Sequence, residues 1–598
     1  MTDAASNFVS MEDFIFGTLA TDELRLKEIV SARSGLAHER RNVPRDPQPG
    51  QAVQLDLTAG AHAPINAAFV HYTTDGSQPD PDSPATKTLP MTRGAAQWDT
   101  LLWSYLDTYS VELPAQEGGT IVRYRLSGTT PDGRHHWAGG NHGPRQTFSY
   151  LVDSRYVPAW VQSAVIYHIF MDRFAPTPGQ AFTTPDSLSG FYGGTLKGVL
   201  SKLDYLSELG VNTLWLSPIF PSPSHHGYDS TDYREIDPRY GTKPNLRALI
   251  DEMHARGMKL ILDYVPNHTS NEHPFFQSAQ KDARSPYRDF YTFIRWPDHY
   301  QSFFGVETLP QVNNEHPAAR RYVIDSAKYW VQEFGVDGFR LDYAYGPSHD
   351  FWTDYYSALK NANPDTYHFG EIVETPALLR SYEGVMDGTL DFLWLQAARK
   401  TFAFGTADVG QFEQFLSRHE QFFAGTNFTL PNFLDNHDMN RFLWVTRGDK
   451  RKLKQAAACQ FTLSAPPIIY YGTEVGLSQQ RDTRQGSFGI LEESRLPMLW
   501  GEAQDRDLFA FYQKLIACRK SSSALKVGTR TPLIVEPATG RYGYVRSDFL
   551  EQVIVLLNVA PTAQSFDLPA RTWHDVIGGG TVSGSVTLDA YGVLIAQG

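Results

Sequence analysis

From Pro158 onward the chain alternates short apolar runs with longer stretches whose apolar residues recur at helical spacing. Residues 164–170, 211–216, 259–265, 338–342, 367–372, 432–434 and 467–471 read as strands, because they are brief, apolar and rich in β-branched and aromatic side chains. Residues 196–209, 245–256, 317–334, 351–361, 450–463 and 505–519 read as amphipathic helices between them, with Gly210 placed as a C-terminal stop. A further pair falls less distinctly between Thr389 and His419. Eight such units predict an α/β protein of the (β/α)8 barrel type.

Flanking stretches follow a different rhythm. The 598-residue length allows several domains. Residues 1–47 carry one predicted helix (21–34) and end in a Pro-rich linker, and 48–155 show short alternating strands with turn signals at Asp75-Gly76 and Pro131-Asp132-Gly133. This pattern predicts an N-terminal β-sandwich. The barrel is expected over 156–520, with a subdomain inserted at about 268–316 after the third strand, and a C-terminal antiparallel β domain over 521–598.

Composition excludes some classes. A net charge of −13 argues against a nucleic-acid partner. No apolar run is long enough to span a bilayer, so no membrane association is expected. Two cysteines exclude a disulfide framework and fit a reducing compartment. The N-terminus lacks a basic start and apolar core, so a cytoplasmic location is expected. Aromatics in the sandwich (Trp98, Trp103, Tyr105, Tyr109, Tyr124, Trp137) suit packing, a homodimer contact or a sugar-binding surface.

Acidic residues close the strand candidates. Asp263, Asp342, Glu371 and Asp438 each follow an apolar run, with His268, Arg340 and His437 beside them. Strand ends of a parallel barrel share one rim, so these side chains are expected to converge. A single strand-end acid is commonly a helix cap, but four with basic neighbours point to chemistry. Paired carboxylates serve glycosidic cleavage, one attacking and one donating a proton. Arg340 shares a strand face with Asp342, two residues on, and is expected to keep it ionised, whereas neighbouring acids should keep Glu371 protonated.

These segments resemble the α-amylase family of glycoside hydrolases. Asp263-Tyr-Val-Pro-Asn267-His268, Gly338-Phe-Arg340-Leu-Asp342, Gly370-Glu371 and Asp435-Asn-His437-Asp438 match its four signature segments in order, and Phe191–Gly198 and Tyr470–Gly476 fit as well. The resemblance implies that Asp342 is the nucleophile, Glu371 the acid/base, and Asp438 a holder of the distorted sugar. It further implies that Tyr228, His268, Arg340 and His437 bind substrate and that Asp263 and Asn267 support the floor. The N-terminal sandwich, the segment 222–233 and Leu309–Asn313 are similar to the cyclomaltodextrinase, neopullulanase and maltogenic amylase group. That likeness implies a retaining hydrolase of α-1,4 links in maltodextrins or cyclodextrins. An α-glucosidase or transglycosylase, and an inactive carbohydrate-binding homologue, stay open. The segments Tyr343-Ala-Tyr345-Gly346 and Ile372-Val-Glu374 depart from the family's usual sequences. The loop after Arg173 lacks the oxygen cluster that would ligate calcium, and His225-His226 point apart on extended chain, so no metal or other cofactor is expected.

Overall fold

The computed structural model describes residues 22–139, 145–483 and 491–598 and, for residues 22–25 and 28, the backbone alone. The N-terminal segment read for targeting signals, residues 1–21, lies outside the described residues. Eight parallel strands form the central sheet: β1 Ile166–Ile169, β2 Thr213–Leu216, β3 Lys259–Tyr264, β4 Gly338–Leu341, β5 Tyr367–Gly370, β6 Gly388–Thr389, β7 Asn432–Phe433 and β8 Pro467–Tyr470. Their order is β6-β5-β4-β3-β2-β1-β8-β7. The ring closes between β6 and the approach to β7, where Gly388 bridges Thr429 and Asp391 N donates to Pro431 O at 3.0 Å.

Alternation along each strand sorts side chains into two cores. Leu214, Leu216, Leu260, Leu262, Phe339 and Leu341 pack outward against the helices. Ile166, Trp215, Ile261, Phe369, Phe433 and Ile468 fill the barrel interior. Asp263 follows Ile261 by two residues and pairs in register with Arg340, so both face inward. Asp342 and Glu371 continue that inward face one residue past β4 and β5, held by Asp342 N donating to Tyr264 O and Glu371 N to Leu341 O.

Helices follow the predicted spacing with small adjustments. The stretch expected as one helix at 196–209 is two, Leu196–Ser201 and Leu203–Leu209, and ends at Gly210, whose φ of 100° suits glycine alone. The indistinct pair resolves into β6, followed by helices Phe392–Ala398 and Val409–Phe423. Within the insertion after β3 lie a helix, Pro274–Lys281, and a hairpin of Phe293–Arg295 and His299–Tyr300. Phe276, Tyr291 and Tyr300 pack as its small core.

In the N-terminal region, strand Lys87–Arg93 pairs with Ala67–Thr73 along most of its length and with Ser104–Leu113 at Thr92 and Arg93. It joins two antiparallel halves around one core that includes Leu55, Val70, Tyr109 and Tyr124. Of the aromatics singled out above, Tyr109 and Tyr124 are therefore packing residues, whereas Trp98, Trp103 and Tyr105 stand 47%, 77% and 65% exposed in one cluster. The C-terminal strands form a six-stranded antiparallel sheet whose Tyr542, Tyr544 and Val555 merge into the barrel's outer core. No helix among the described residues is long and apolar enough to cross a membrane.

Candidate active site

One guanidinium organises the floor of the barrel mouth. Arg340 Nη1 donates to Asp263 Oδ1 and to Asp342 Oδ1, both at 2.8 Å, and Nη2 lies 2.7 Å from Glu371 Oε1. The last contact is an ion pair without hydrogen-bond alignment. Asp263 is fully buried and its second oxygen accepts from Tyr228 Oη at 2.9 Å and Trp215 Nε1 at 3.1 Å. Both oxygens of Asp263 are thus engaged, while the carboxyls of Asp342 and Glu371 are brought together around one cation. Tyr343, directly after Asp342, has φ 40°, and its N–H donates to Glu371 Oε2 at 3.2 Å. A bulky residue in that left-handed region marks backbone held by its surroundings.

A second cation governs Asp438. Arg495 Nη2 donates to Asp438 Oδ1 at 2.8 Å, and His437 Nε2 lies 2.9 Å from Oδ2. Arg495 also donates through Nε to His437 O at 2.8 Å, fixing both residues at once. The Tyr228 ring lies parallel to His437, with centroids 5.1 Å apart and planes 2° off parallel. His268 is held at both nitrogens, by Tyr228 O at 3.1 Å and Asn267 Nδ2 at 3.2 Å, and Asn267 Oδ1 accepts from Gln311 at 3.2 Å. All nine residues predicted for the site therefore lie in one connected cluster.

Electrostatics separate the acids. Burial pushes Glu371 up to about 8, opposed by Arg340 and reinforced by Asp342 and Asp438. Burial likewise lifts Asp342 to about 7 and Asp263 to about 6, each opposed by Arg340. Burial would also raise Asp438, but His437, Arg495 and Arg340 outweigh it and hold that carboxylate well below its usual range. Burial lowers His268 and His437 to about 4, so both stay neutral hydrogen-bonding groups near neutral pH. Arg340, the cation expected to keep Asp342 ionised, does oppose burial there, but it is divided among three carboxylates. Glu371 remains the last acid of the cluster to ionise.

Beside Tyr343 opens a cavity of about 620 Å³, lined by the insertion (Phe303, Phe304, Gln311) and by the loop after β4 (Tyr343, Tyr345). Phe303 and Phe304 meet Tyr343 edge to face at 4.8 and 5.2 Å. Phe303 also stacks on His268, at 4.7 Å.

Sequence reading missed Arg495, which sits on a short turn, Leu491–Arg495, with no apolar run to flag it. It also missed Trp215, whose position in the middle of a strand reads as core although its N–H reaches Asp263. His168, two residues before Phe170, is buried against Trp215 with rings 3.6 Å apart, and among the described residues neither of its nitrogens has a hydrogen-bond partner. Among the described residues no group of three or more His, Cys, Asp or Glu is arranged to hold a metal ion.

A family model for the α-amylase catalytic domain matches residues 168–502, a span that includes every residue of this cluster. Alpha-amylase 2 of Dictyoglomus thermophilum is 36% identical over 579 residues, covering 96% of this chain and 97% of that protein. A cyclomaltodextrinase from a Bacillus species is 36% identical over 443 residues, covering 69% of this chain and 76% of that protein. A solved cyclomaltodextrinase structure superposes with a TM-score of 0.68 at 29% identity, over 94% of this chain and 99% of the other. The chain belongs to the α-amylase family of glycoside hydrolases.

Proposed function

We propose that this glycoside hydrolase cleaves α-1,4-glucosidic bonds of maltodextrins or cyclodextrins by double displacement, with retention of configuration. Asp342 attacks the anomeric carbon; with Oδ1 engaged by Arg340, Oδ2 is the attacking oxygen. Glu371 gives its proton to the departing glycosidic oxygen, and a glucosyl ester on Asp342 results. Glu371, now ionised, takes a proton from water as that water attacks the same carbon and releases Asp342. Asp438, kept charged by Arg495 and His437, accepts hydrogen bonds from hydroxyls of the distorted ring. His268, His437 and the Tyr228 ring complete the pocket for that sugar. The similarity to cyclomaltodextrinases supports the substrate class.

The observation that carries this reading is the Arg340 contact with both Asp342 and Glu371, which brings the two carboxyl groups together around one cation. The test is the anomer first formed from maltotriose, read by NMR, with a parallel mass map of enzyme trapped by a fluorinated maltosyl fluoride. α-Maltose and a covalent adduct on the Asp342 peptide are expected, and Asp342→Asn should cut turnover by about four orders of magnitude. First-formed β product, or an adduct elsewhere, would reject the assignment. A second reading, glucosyl transfer to another sugar, is favoured by the aromatic cavity beside Tyr343, the residue whose N–H meets Glu371, if that cavity takes the leaving or accepting sugar. Products longer than the substrate would distinguish it.

A further inference from the structure

The wall of that cavity is tied to the N-terminal sheet by buried ions. Arg123, on strand Ile121–Thr129, donates through Nε to Asp350 Oδ1 at 2.9 Å and pairs through Nη2 with Asp354. Both acids lie near the start of helix His349–Ala362, which follows β4. Their other oxygens accept from Arg320 Nη1, each at 2.7 Å. The same guanidinium reaches forward through Nη2 to Glu315 Oε2 at 3.3 Å and through Nε to Asn314 O at 2.8 Å. Glu315 Oε1 in turn accepts from Ser348 Oγ at 2.6 Å, and Ser348 caps the helix through Phe351 N. Asn314, Glu315 and Ser348 all line the cavity.

Charge makes this a relay rather than a set of separate pairs. Two guanidinium groups neutralise Asp350 and Asp354, and Asp350 is wholly buried. Remove Arg123, and Arg320 alone faces two acids with little solvent screening. Its 2.7 Å bonds then compete with the longer one to Glu315, and a buried acid retains its cation more strongly than a half-exposed one. Glu315 would release toward solvent, and Ser348 with the loop from Tyr343 would lose its brace. That loop packs closely on the site, since a Cβ at Gly346 would meet Asn267 Oδ1 at 2.0 Å.

We propose that Arg123 is a positioning residue for the leaving-group side of the cleft, acting from the N-terminal sheet through Asp350, Asp354 and Arg320 on Glu315 and Ser348. This rests on the reading above that the cavity takes the leaving or accepting sugar.

The test compares Arg123→Met and Arg123→Lys with the full-length parent. One readout is hydrolysis of nitrophenyl α-maltoside, whose aglycone is not a sugar. The other is cleavage and transfer with maltotriose, where a sugar fills the cavity. Arg123→Met should leave kcat/KM on the nitrophenyl substrate within about twofold, while KM for maltotriose rises about fivefold and the share of transfer products falls. Arg123→Lys should recover part of the loss. Glu315→Gln, which cuts the relay at its far end, should reproduce the maltotriose defect. Hydrogen exchange should rise over residues 343–348 in Arg123→Met and not in β3. Equal loss on both substrates, or no change in either, would overturn the proposal; so would unchanged exchange over 343–348. If Arg123→Met does not fold, Glu315→Gln and Arg123→Lys decide it by the same criteria. A parent enzyme that leaves both substrates intact would count against the hydrolase reading, and the exchange data would still judge the relay.

Discussion

At the scale of single residues, the site works by dividing two cations among four acids. Arg340 is shared by Asp263, Asp342 and Glu371, and Arg495 holds Asp438 at 2.8 Å, with a longer contact to Glu492. Burial does the rest, lifting Asp342 to about 7 and Glu371 to about 8. The proposed mechanism needs Asp342 ionised and Glu371 protonated. The profile of kcat/KM against pH is therefore expected to be a narrow bell, rising through about 7 as the pair loses its first proton and falling through about 8 as it loses the second. Both steps belong to the coupled pair. Glu371→Gln should abolish the alkaline limb in whatever activity remains on an activated glycoside. A plateau reaching below pH 5 in the parent would mean that Arg340 dominates over burial. The four acids were legible because each sits at the end of, or just beyond, an apolar run, whereas Tyr228, in a polar loop, was legible only through the family resemblance. Arg495 was not, since a charged residue on an irregular turn has no pattern around it.

At the scale of elements, close strand contact is what sets the carboxyl groups beside one another. Gly338 begins β4 opposite Tyr367 of β5, and a Cβ at 338 would stand 2.0 Å from Tyr367 O. No side chain fits without parting the strands that carry Asp342 and Glu371. Gly338→Ala is thus expected to lower both stability, by about 2 kcal/mol or more, and activity, more steeply than the stability loss explains. Chemical denaturation and turnover measured on the same preparation check this, and a near-normal enzyme would show that the barrel yields locally. Element reading from sequence succeeded where runs were long enough for a period. It blurred at β6, which has only Gly388 and Thr389 in ladder register. It also passed over the strand Lys87–Arg93, whose mostly exposed residues lack an apolar alternation.

At the scale of the whole molecule, buried ion pairs fasten the flanking sheets to the barrel. Arg123 does so at the N-terminal sheet. At the C-terminal sheet, Arg530 grips Glu413 of helix Val409–Phe423 through both nitrogens, at 2.6 and 3.0 Å, and Tyr542 Oη donates to the same carboxylate at 2.7 Å. Arg530's side chain is nearly solvent-free, so Glu413→Ala would leave a buried cation with, among the described residues, only the half-exposed carboxylate of Glu420 to pair it. A loss of about 3 kcal/mol is expected, visible as a lower denaturation midpoint with unchanged kcat below the transition. A midpoint equal to the parent's would show that apolar packing alone holds this sheet.

The residues by themselves determined which chemistry this chain carries and on what kind of scaffold: the period of its apolar positions specifies strands and helices in alternation, and the acids at their ends specify a rim. Local pattern reaches that far because strand and helix periods are set by a few neighbouring residues. What tertiary structure alone decided is how charge is apportioned. That Arg340 serves three carboxylates, that Arg495 arrives from a distant turn, and that Arg123 braces a wall in another layer all depend on distances across the fold. Desolvation and Coulomb energy act through space, and no spacing along the chain encodes them.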